Sequence, residues 1–322
     1  MPKPISSFME ENFKHFNAFT TLRAARAWVD HEKKGGKMFL AMAGAMSTAE
    51  IGISLAEMIR EDKIHAISCS AANLEEDIFN LIAHNEYEMV PDYDNLTPDD
   101  EEALRDRGMN RVTDVCIPEN VMRKVENKLI EYWAEAAKKE EHHFPYEYLF
   151  RLFDEGFLNN INQVPFAHSW MAAAWEKKIP IYSPGWEDST LGNIFAARVM
   201  DGTIRSHAAI RHGTEQFAHL MQWYQEISKK SSVGFFQIGG GTAGDFALCC
   251  VPCILLDLGK ECPHWAYYAQ ITDSTTSYGS YSGCTPKEKI TWHKVTKNTP
   301  SFVINSDATI VAPLIFSYVL GK

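Results

Sequence analysis

The sequence lacks the long apolar segments that membrane and secreted proteins carry. Its 322 residues contain no run of about 18 or more apolar residues, the length that a helix needs to span a bilayer. The first residues, MPKPISSFMEENFKHFNAF, also lack the uninterrupted apolar core of a signal peptide. We therefore expect a soluble, cytoplasmic protein.

Positive charge is also scarce. Lys and Arg together number 31 against 42 Asp and Glu, which leaves a formal net charge of -11 at pH 7. This balance argues against a nucleic-acid backbone as the main partner, because binding to phosphates depends on cationic side chains. An acidic protein is compatible with cationic small molecules as ligands.

The cysteines do not form a pattern that predicts disulfides or a metal site. There are seven of them at uneven spacings, which is poor material for a disulfide framework, so we expect reduced thiols. Cys249, Cys250 and Cys253 lie close together, but no second Cys or His pair stands at the spacing of a zinc site. Buried apolar cysteines are commoner, and we expect no metal.

The composition that remains is that of an ordinary globular protein, with 45% hydrophobic and 23% charged residues. Short apolar runs alternate with segments of helical periodicity, which predicts an α/β fold of Rossmann-like type with a mostly parallel sheet flanked by helices. No repeat or long linker interrupts the chain, so we expect one domain over residues 1–322 with an N-terminal arm of about residues 1–36. The predicted strands cover residues 38–42, 64–68, 179–183, 232–238, 267–272 and 302–304.

Apolar periodicity and capping residues predict several of the helices. A helix between the first two strands would place Ile51, Leu55, Met58 and Ile59 on one face, which predicts a βαβ unit. In the following segment, NLEED, we interpret Asn73 as an N-cap and Glu76 as its capping-box partner. The acidic run at 99–102 is typical of a solvated helix start, and residues 307–309 open the last helix.

The segment 278–294, YGSYSGCTPKEKITWHK, is the densest in chemically useful side chains. Thr285 followed by Pro286 and Glu288 predicts a helix start with Thr285 as N-cap. Over about two turns, Glu288 and Trp292 would share a face, and Lys294 would emerge just past the helix end. The preceding loop, 279–283, is flexible and rich in hydrogen-bond donors.

A glycine-rich loop follows the predicted strand at 232–238. Residues 239–244, GGGTAG, satisfy G-x-G-x-x-G after a strand and before a helical stretch, the context in which backbone amides approach a pyrophosphate. Pro252 shortens any helix that follows, and the motif lies late in the chain. Spacing alone therefore leaves open both a nucleotide-binding loop and a purely structural turn.

Taken together, these segments resemble the deoxyhypusine synthase family, and within it the bacterial deoxyhypusine-synthase-like proteins. The most specific block is G-S-x-S-G-x-x-P-x-E-x-x-x-W-x-K, whose matching residues are Gly279, Ser280, Ser282, Gly283, Pro286, Glu288, Trp292 and Lys294. Other matching blocks, which spread over nearly the whole chain, are AGAMSTAE (43–50), NLEED (73–77), NRV (110–112), IPEN (117–120), SPGWEDSTLGN (183–193), IGGG (238–241) and SDATIVAPL (306–314).

The resemblance implies NAD-dependent transfer of an aminobutyl group from spermidine, in a homotetramer whose sites lie at subunit interfaces. Lys294 matches the lysine that captures the fragment as an imine before an acceptor amine takes it. Glu288 and Trp292 match residues of the amine channel, with Gly279 and Ser280 in the adjoining loop, and Glu75 and Glu76 match an acidic pair near amine and cofactor. The positions that match cofactor contacts are Gly44, Ala45, Ser70, Ala71, Asp188, Gly240, Asp273, Asp307 and Ala308.

Four polar positions around the amine channel depart from the family pattern. Asp245 stands where the family has a histidine, and Asn193 where it has an aspartate. Tyr278 and Tyr281 replace two aspartates of the loop before Lys294. We infer that the NAD and lysine chemistry is kept while the donor, the acceptor or both have changed.

The residue types support this assignment on physical grounds, although each also has a plainer role. A lysine is a nucleophile only when neutral, so Lys294 needs a desolvating neighbour such as the Trp292 indole. Carboxylates such as Glu75 and Glu288 suit a polycationic amine, whose ammonium groups need partners once they are buried. Lys294 could instead complement a helix C-terminus, while Glu288 and Glu76 could be capping acids; we expect no such capping role for Glu75.

Three functions are therefore compatible with the sequence. The first is a homospermidine-synthase-like transfer of an aminobutyl-type group from spermidine, putrescine or a related amine to a small amine. The second is true deoxyhypusine synthesis on a lysine of the hypusine-carrying translation factor. The third is a homologue that binds NAD and polyamine without turnover.

Overall fold

A computed structural model describes residues 3–276 and 279–322 of the chain. Tyr278, one of the four departures from the family pattern, lies outside the described residues. The strands are β1 Lys37–Met42, β2 Ala66–Cys69, β3 Glu88–Met89, β4 Met109–Val112, β5 Val115–Pro118, β6 Ile181–Tyr182, β7 Val233–Ile238, β8 Tyr267–Thr272 and β9 Ser301–Asn305.

Helices connect and cover these strands. In chain order they are α1 Ile5–Asn12, α2 Phe16–Lys33, α3 Gly52–Arg60, α4 Ala71–Ala83, α5 Pro98–Asp106, α6 Asn120–Lys139, α7 Pro145–Asp154, α8 Trp170–Lys177, α9 Thr190–Met200, α10 Gly213–Ser228, α11 Gly241–Leu248, α12 Cys250–Pro252, α13 Glu288–Thr291 and α14 Ala308–Val319. A π-helical turn, Cys253–Asp257, continues α12. None of the helices in the described residues is long and apolar enough to cross a membrane.

Six parallel strands form the central sheet, in the order β6-β2-β1-β7-β8-β9. The predicted Rossmann-like α/β fold with a mostly parallel sheet is thus confirmed, and so is the βαβ unit formed by β1, α3 and β2. A small antiparallel sheet, β3-β5-β4, lies outside it. The single domain with an N-terminal arm stays a prediction; within that arm, α2 packs against β9 and α14.

The strands of the central sheet are apolar because helices bury both of its faces. Every residue of β7 and of β8 is buried, as expected for a parallel sheet covered on two sides. On one face, aromatic rings stack across neighbouring strands: Phe39 lies 5.5 Å from Phe235, which lies 6.2 Å from Tyr268 between ring centroids. These contacts fix the register in which the strand ends, and hence the functional loops, are aligned.

The strand order reverses between β1 and β7. From this point the chain adds β2 and β6 on one side, and β8 and β9 on the other. In open parallel sheets, the loops that follow the strands at such a reversal diverge and leave a crevice. Here these are the loops that begin at Ala43 and at Gly239, which are in close contact only where they leave the two adjacent strands, at Ala43 and Gly239 themselves.

The segment 73–77 connects the helices around this edge. The prediction that Asn73 caps a helix is wrong, because α4 begins two residues earlier, after Ser70. Asn73 instead holds the loop after β1: its Oδ1 accepts a hydrogen bond from the Ser47 amide at 2.9 Å, and its Nδ2 donates to the Gly44 carbonyl at 2.6 Å. An Asn was therefore correctly singled out here, but for the wrong contact.

Asp77 caps a different helix from its own. Its carboxylate is buried and accepts hydrogen bonds from the Ser169 hydroxyl at 2.5 Å and from the amides of Trp170 at 3.3 Å and Met171 at 3.1 Å, at the start of α8. Burial, opposed by these hydrogen bonds, raises the pKa of Asp77 to about 6. One side chain thus joins α4 to α8 behind the sheet edge.

We predict that Asp77→Ala lowers the free energy of unfolding by about 3 kcal/mol, because three buried donors lose their acceptor at once. Urea denaturation followed by circular dichroism measures this change. Asp100→Ala is the matched control: Asp100 belongs to the capping box of α5 and is exposed, so water replaces it, and we expect a loss of about 1 kcal/mol. Equal losses in the two variants would contradict the buried-cap account.

Candidate active site

The helix before Lys294 is shorter than predicted. It spans one turn, Glu288–Thr291, and begins at Glu288 instead of after Thr285. Thr285 still contacts it: the Glu288 amide donates to the Thr285 carbonyl at 3.1 Å, and the Thr285 hydroxyl donates to the Glu288 carboxylate at 3.3 Å. The predicted N-cap signal therefore marks a turn that leads into a single helical turn.

A left-handed residue ends this turn and directs Lys294 inward. His293 has φ +56°, a conformation that usually favours glycine. Its amide donates to the Ile290 carbonyl at 3.1 Å, and the Lys294 amide donates to the Lys289 carbonyl at 3.0 Å. This pair of bonds is a Schellman motif, which reverses the chain direction and turns the Lys294 side chain toward the sheet edge.

Lys294 lies in a protein-lined cavity of about 350 Å³. Its Nζ donates a hydrogen bond to the Asp245 carboxylate on α11 at 2.7 Å and lies 5.4 Å from the Tyr281 ring centroid and 5.9 Å from that of Trp292. Predicted residues that line the same cavity are Asp245, Gly279, Ser280, Tyr281, Glu288, Trp292 and Lys294. The family motif and the substitution at Asp245 thus meet at one place in the fold.

The charge state of Lys294 differs from the expectation. Burial lowers the pKa of this lysine and is the largest single effect, but the hydrogen bond and charge of Asp245, with a smaller effect of Cys249, outweigh it, so that the pKa is raised. Trp292 is 67% exposed and desolvates little of the amine. The expectation that Trp292 keeps Lys294 neutral is therefore wrong, because the expectation did not include the ion pair with Asp245.

A buried glutamine pair supports the two loops around the cavity. Gln237 on β7 and Gln270 on β8 are neighbours in register and both donate to the Gly239 carbonyl, at 2.9 and 3.0 Å. Gln270 also donates to the Ser282 carbonyl at 2.9 Å, and the Tyr281 hydroxyl donates to Gln237 Oε1 at 2.8 Å. The glycine loop and the loop before Lys294 are thus anchored to the same two strands.

A second, larger cavity of about 770 Å³ adjoins the first. It shares Asp245, Cys249 and Tyr281 with the Lys294 cavity, and its far side is formed by the turn at Pro184 and Gly185 after β6. Because Tyr281 borders both spaces, its ring forms part of the wall between them. Sequence reasoning missed Cys249 and Lys289 as cavity residues, although Lys289 lies inside the recognised motif.

Glu75 and Asn193 lie in a separate group at the start of α9. Both oxygens of the Glu75 carboxylate are hydrogen-bonded, to the amides of Thr190 at 2.8 Å and Leu191 at 2.7 Å. Asn193 Nδ2 donates to the Glu187 carbonyl at 2.6 Å. Glu75 therefore has the capping role that the sequence did not reveal, because the helix it caps lies more than a hundred residues along the chain.

Glu75 and Glu76 both lie in surroundings that disfavour their charged forms. Burial is the main effect on Glu75 and raises its pKa to about 7 against the hydrogen bonds from α9. Burial also raises the pKa of Glu76, although the nearby Thr48 side chain and backbone oppose the shift. Glu76 Oε2 and Thr48 Oγ1 are buried and, apart from this loose contact with each other, have no hydrogen-bond partner among the described residues, which leaves polar atoms available beside the loop after β1.

The predicted cofactor positions share one structural property: each follows a strand of the central sheet at its carboxyl end. Three of them begin helices, since Ser70, Gly240 and Asp307 are the N-caps of α4, α11 and α14. Helix N-termini offer unpaired amides and a favourable dipole to anionic groups. In chain order, after β1, β2, β6, β7, β8 and β9, the positions are Gly44 and Ala45, Ser70 and Ala71, Asp188, Gly240, Asp273, and Asp307 with Ala308.

The glycine loop has the geometry of a dinucleotide fingerprint. Gly239, at φ +72°, makes the turn out of β7; a Cβ at Gly244 would come within 2.7 Å of the Gln237 side chain, so α11 packs closely on the strand. Gly241, at φ +63°, faces open space. These are the roles of the three glycines in the fingerprint, and together with the helix N-termini and unpaired polar atoms they fit NAD. Gly240 itself packs on Ser282, which ties this loop to the Lys294 segment.

Fold and site together define a class: a doubly wound parallel α/β protein with dinucleotide-type loops and a buried lysine at the carboxyl edge of its sheet. A family model described as deoxyhypusine synthase matches residues 8–319. The chain belongs to the deoxyhypusine synthase family.

Individual relatives are distant but cover most of the chain. A "Deoxyhypusine synthase-like protein" of a Cyanothece species is 27% identical over 290 residues, which are 88% of this chain and 70% of that protein. A "Probable deoxyhypusine synthase 2" of Methanosarcina mazei is 25% identical over 295 residues, 91% of this chain and 79% of that one. A solved structure of a candidate deoxyhypusine synthase from Entamoeba histolytica shares the fold, with a TM-score of 0.60 at 13% identity over 98% of this chain and 91% of the other.

We predict that Glu75→Gln removes a pH dependence of stability. Since the folded pKa of about 7 exceeds the ordinary value of 4.5, the contribution of Glu75 to stability is fully present below about pH 4.5 and is lost as the pH rises through 7. Between pH 4.5 and 8, the free energy of unfolding of the wild type should therefore fall by about 3 kcal/mol relative to that of Glu75→Gln. Urea titrations at several pH values measure it, and a constant difference would contradict the prediction.

We also predict that Asp245→Asn makes Lys294 more reactive toward small aldehydes. Without the carboxylate, burial is the dominant effect and lowers the pKa of Lys294, so more of the amine is neutral at pH 7.5. Labelling with butanal and cyanoborohydride, read by peptide mass, should increase several-fold at Lys294. Asp257→Asn, which changes an exposed aspartate after α12, is the control and should leave labelling unchanged. Unchanged or slower labelling in Asp245→Asn would show that the ion pair does not govern this amine.

Proposed function

We propose that this chain is an NAD-dependent, polyamine-modifying transferase that moves an aminobutyl-type group through an imine of Lys294 onto a small amine. Family membership supports NAD-dependent aminobutyl transfer in general. The observation that carries the finer proposal is the ion pair between Lys294 and Asp245 inside a cavity lined by the family motif. Compared with the family pattern, this chain retains the lysine but has an aspartate in place of the histidine at position 245, next to the lysine amine.

The chain's own residues would divide the work as follows. Once Lys294 has lost its proton, its neutral amine attacks the imine carbon of the oxidised substrate. The leaving amine then departs as the new C=N bond to Lys294 forms. The resulting protonated imine is a cation, which Asp245 stabilises through the same ion pair that holds the free lysine. A dinucleotide held by the glycine loop and the neighbouring helix N-termini would supply the redox chemistry: it would accept the hydride that the amine loses on oxidation and would return a hydride to the product imine.

The cavity chemistry also favours a cationic substrate. Glu288, whose pKa is lowered mainly by its contact with Cys284, offers a carboxylate at the mouth of the cavity. The exposed indole of Trp292 lies beside it and can pack against the alkyl chain or the ammonium groups of an amine. An acidic protein surface, with a net charge of -11, further concentrates polycations near the site.

We propose in addition that the complete site forms between subunits of a homotetramer. Within one chain, Glu75 and Asn193 lie at the start of α9, apart from the cavity of Lys294. Trp292 is two-thirds exposed although it belongs to the motif. A second subunit that covers Trp292 would supply the desolvation that a single chain leaves incomplete.

Incubation with NAD and candidate amines, followed by borohydride, tests the activity. With spermidine or putrescine we expect NADH fluorescence and an aminobutyl adduct on the Lys294 peptide, which is absent in Lys294→Arg and retained in Lys287→Arg, a change at an exposed lysine of the same segment. Absence of both NADH and adduct with every amine would overturn the proposal.

The acceptor is tested separately. After the donor is known, a diamine or the hypusine-carrying translation factor is added, and the product is identified by mass. Transfer to the diamine supports the proposal, whereas transfer only to the protein lysine identifies the chain as a true deoxyhypusine synthase. The "Probable deoxyhypusine synthase 2" among its relatives is the reason to include this arm.

A further inference from the structure

A second lysine lies in the cavity of Lys294. Lys289 is on α13, is only 1% exposed and contributes to the wall of the same cavity. Its Nζ is 4.5 Å from the Tyr281 ring centroid and 5.3 Å from that of Tyr268. Because the Nζ of Lys294 lies 5.4 Å from the same Tyr281 ring, the two amines share one aromatic neighbour.

Lys289 differs from Lys294 in having no acidic partner within residues 3–276 and 279–322. Its polar contacts there are with Cys284: the Cys284 carbonyl lies at the long distance of 3.5 Å, and the thiol also lies close to the amine. In the part of the chain that the structure describes, no carboxylate forms an ion pair with it. Glu288, its neighbour in sequence, contacts Thr285 and Cys284 and forms no ion pair with Lys289 in the described residues. A buried ammonium without a carboxylate is costly, so these surroundings favour the neutral amine.

The charged groups around Lys289 act in both directions, and the balance supports the same conclusion. Burial is the largest effect and lowers the pKa of Lys289, and the positive charge of Lys294 lowers it further. Cys284 and, more weakly, Asp245 raise it without reversing the shift. Glu288, the preceding residue, is exposed, and the charge of Lys289 is one of the smaller effects that lower the pKa of its carboxyl. A lysine placed in an apolar pocket beside another cation is a recognised arrangement for a reactive amine.

We propose that Lys289 is a second imine-forming lysine of this cavity, able to take a short aldehyde or imine fragment independently of Lys294. The geometry gives the two lysines different surroundings. Lys294 is held as a cation by Asp245, and Lys289 is held against aromatic rings with no counter-ion among the residues that the structure describes. The inference rests on the proposed function only for the source of the fragment; the reactivity of the amine is a property of the chain itself.

The chemistry balances with groups already present. With an aldehyde, the lone pair of Lys289 Nζ adds to the carbonyl carbon, and water leaves with the carbonyl oxygen and both amine hydrogens as the C=N bond forms. With a fragment already on Lys294 as a protonated imine, neutral Lys289 adds to the imine carbon and the bond to Lys294 breaks. Lys294 departs as a neutral amine with one proton that Lys289 gives up, and the protonated imine is then on Lys289. Neither step needs an oxidant or a reductant.

The test uses butanal and cyanoborohydride on the full-length protein without NAD, so that it does not depend on amine oxidation. Labelled lysines are mapped by peptide mass in wild type, Lys294→Met and Lys289→Met. Methionine matches the length of the buried alkyl chain and removes the amine. The exposed Lys287, two residues from Lys289, is the internal reference in every digest.

At pH 7 we expect Lys289 to be labelled at least ten-fold faster than Lys287 in both wild type and Lys294→Met, and the label to be absent in Lys289→Met. If the labelling rate of Lys289 is equal to or lower than that of Lys287, the proposal is overturned. Lys289 would then be a buried cation held by the aromatic rings. Should Lys294→Met fail to fold, as judged by circular dichroism, the wild-type ratio alone decides.

A second arm separates this inference from the proposed function. Lys294→Met is incubated with NAD and spermidine and then reduced with borohydride. If NADH forms and the adduct is on Lys289, both ideas hold. If no NADH forms with any amine while butanal still labels Lys289, the proposed transferase activity fails and the reactive second lysine stands. If NADH forms but the adduct is never found on Lys289, the second lysine is excluded.

Discussion

The burial of both faces of one parallel sheet governs the rest of this structure. Helices cover β7 and β8 completely, so polar chemistry is excluded from the sheet faces and is confined to the carboxyl edge. All the predicted cofactor positions lie at that edge, after six different strands. The strand order reverses between β1 and β7, the two strands after which the glycine loop and the loop at Ala43 leave the sheet in contact with each other.

The lysine cavity depends on that edge through a few buried polar side chains. Gln237 and Gln270 stand opposite each other on β7 and β8 and hold the glycine loop and the loop before Lys294. Asp245, one turn into α11, then meets Lys294 as an ion pair. A site with two lysines, one paired and one unpaired among the described residues, results from this arrangement.

Local signals predicted the elements well and the contacts poorly. The periodicity of residues 51–59 and the start of the last helix at 307–309 were confirmed because they depend only on neighbours in sequence. Asn73 and Glu75 were misjudged because their partners, the loop after β1 and the start of α9, are distant in the chain. The helix after Thr285 has one turn instead of the predicted two. It ends before His293, which adopts a left-handed conformation and is followed by Lys294.

The sequence by itself determined the fold class, the family and the segment that carries Lys294, since apolar periodicity and a spaced motif are properties of consecutive residues. Only the tertiary structure decided the contacts and the charge states of the lysine side chains within that segment. Whether a lysine is charged depends on what burial brings within a few ångströms of its amine. Asp245 lies 49 residues away from Lys294 and pairs with it, whereas Lys289, five residues away, is buried against Tyr268 and Tyr281.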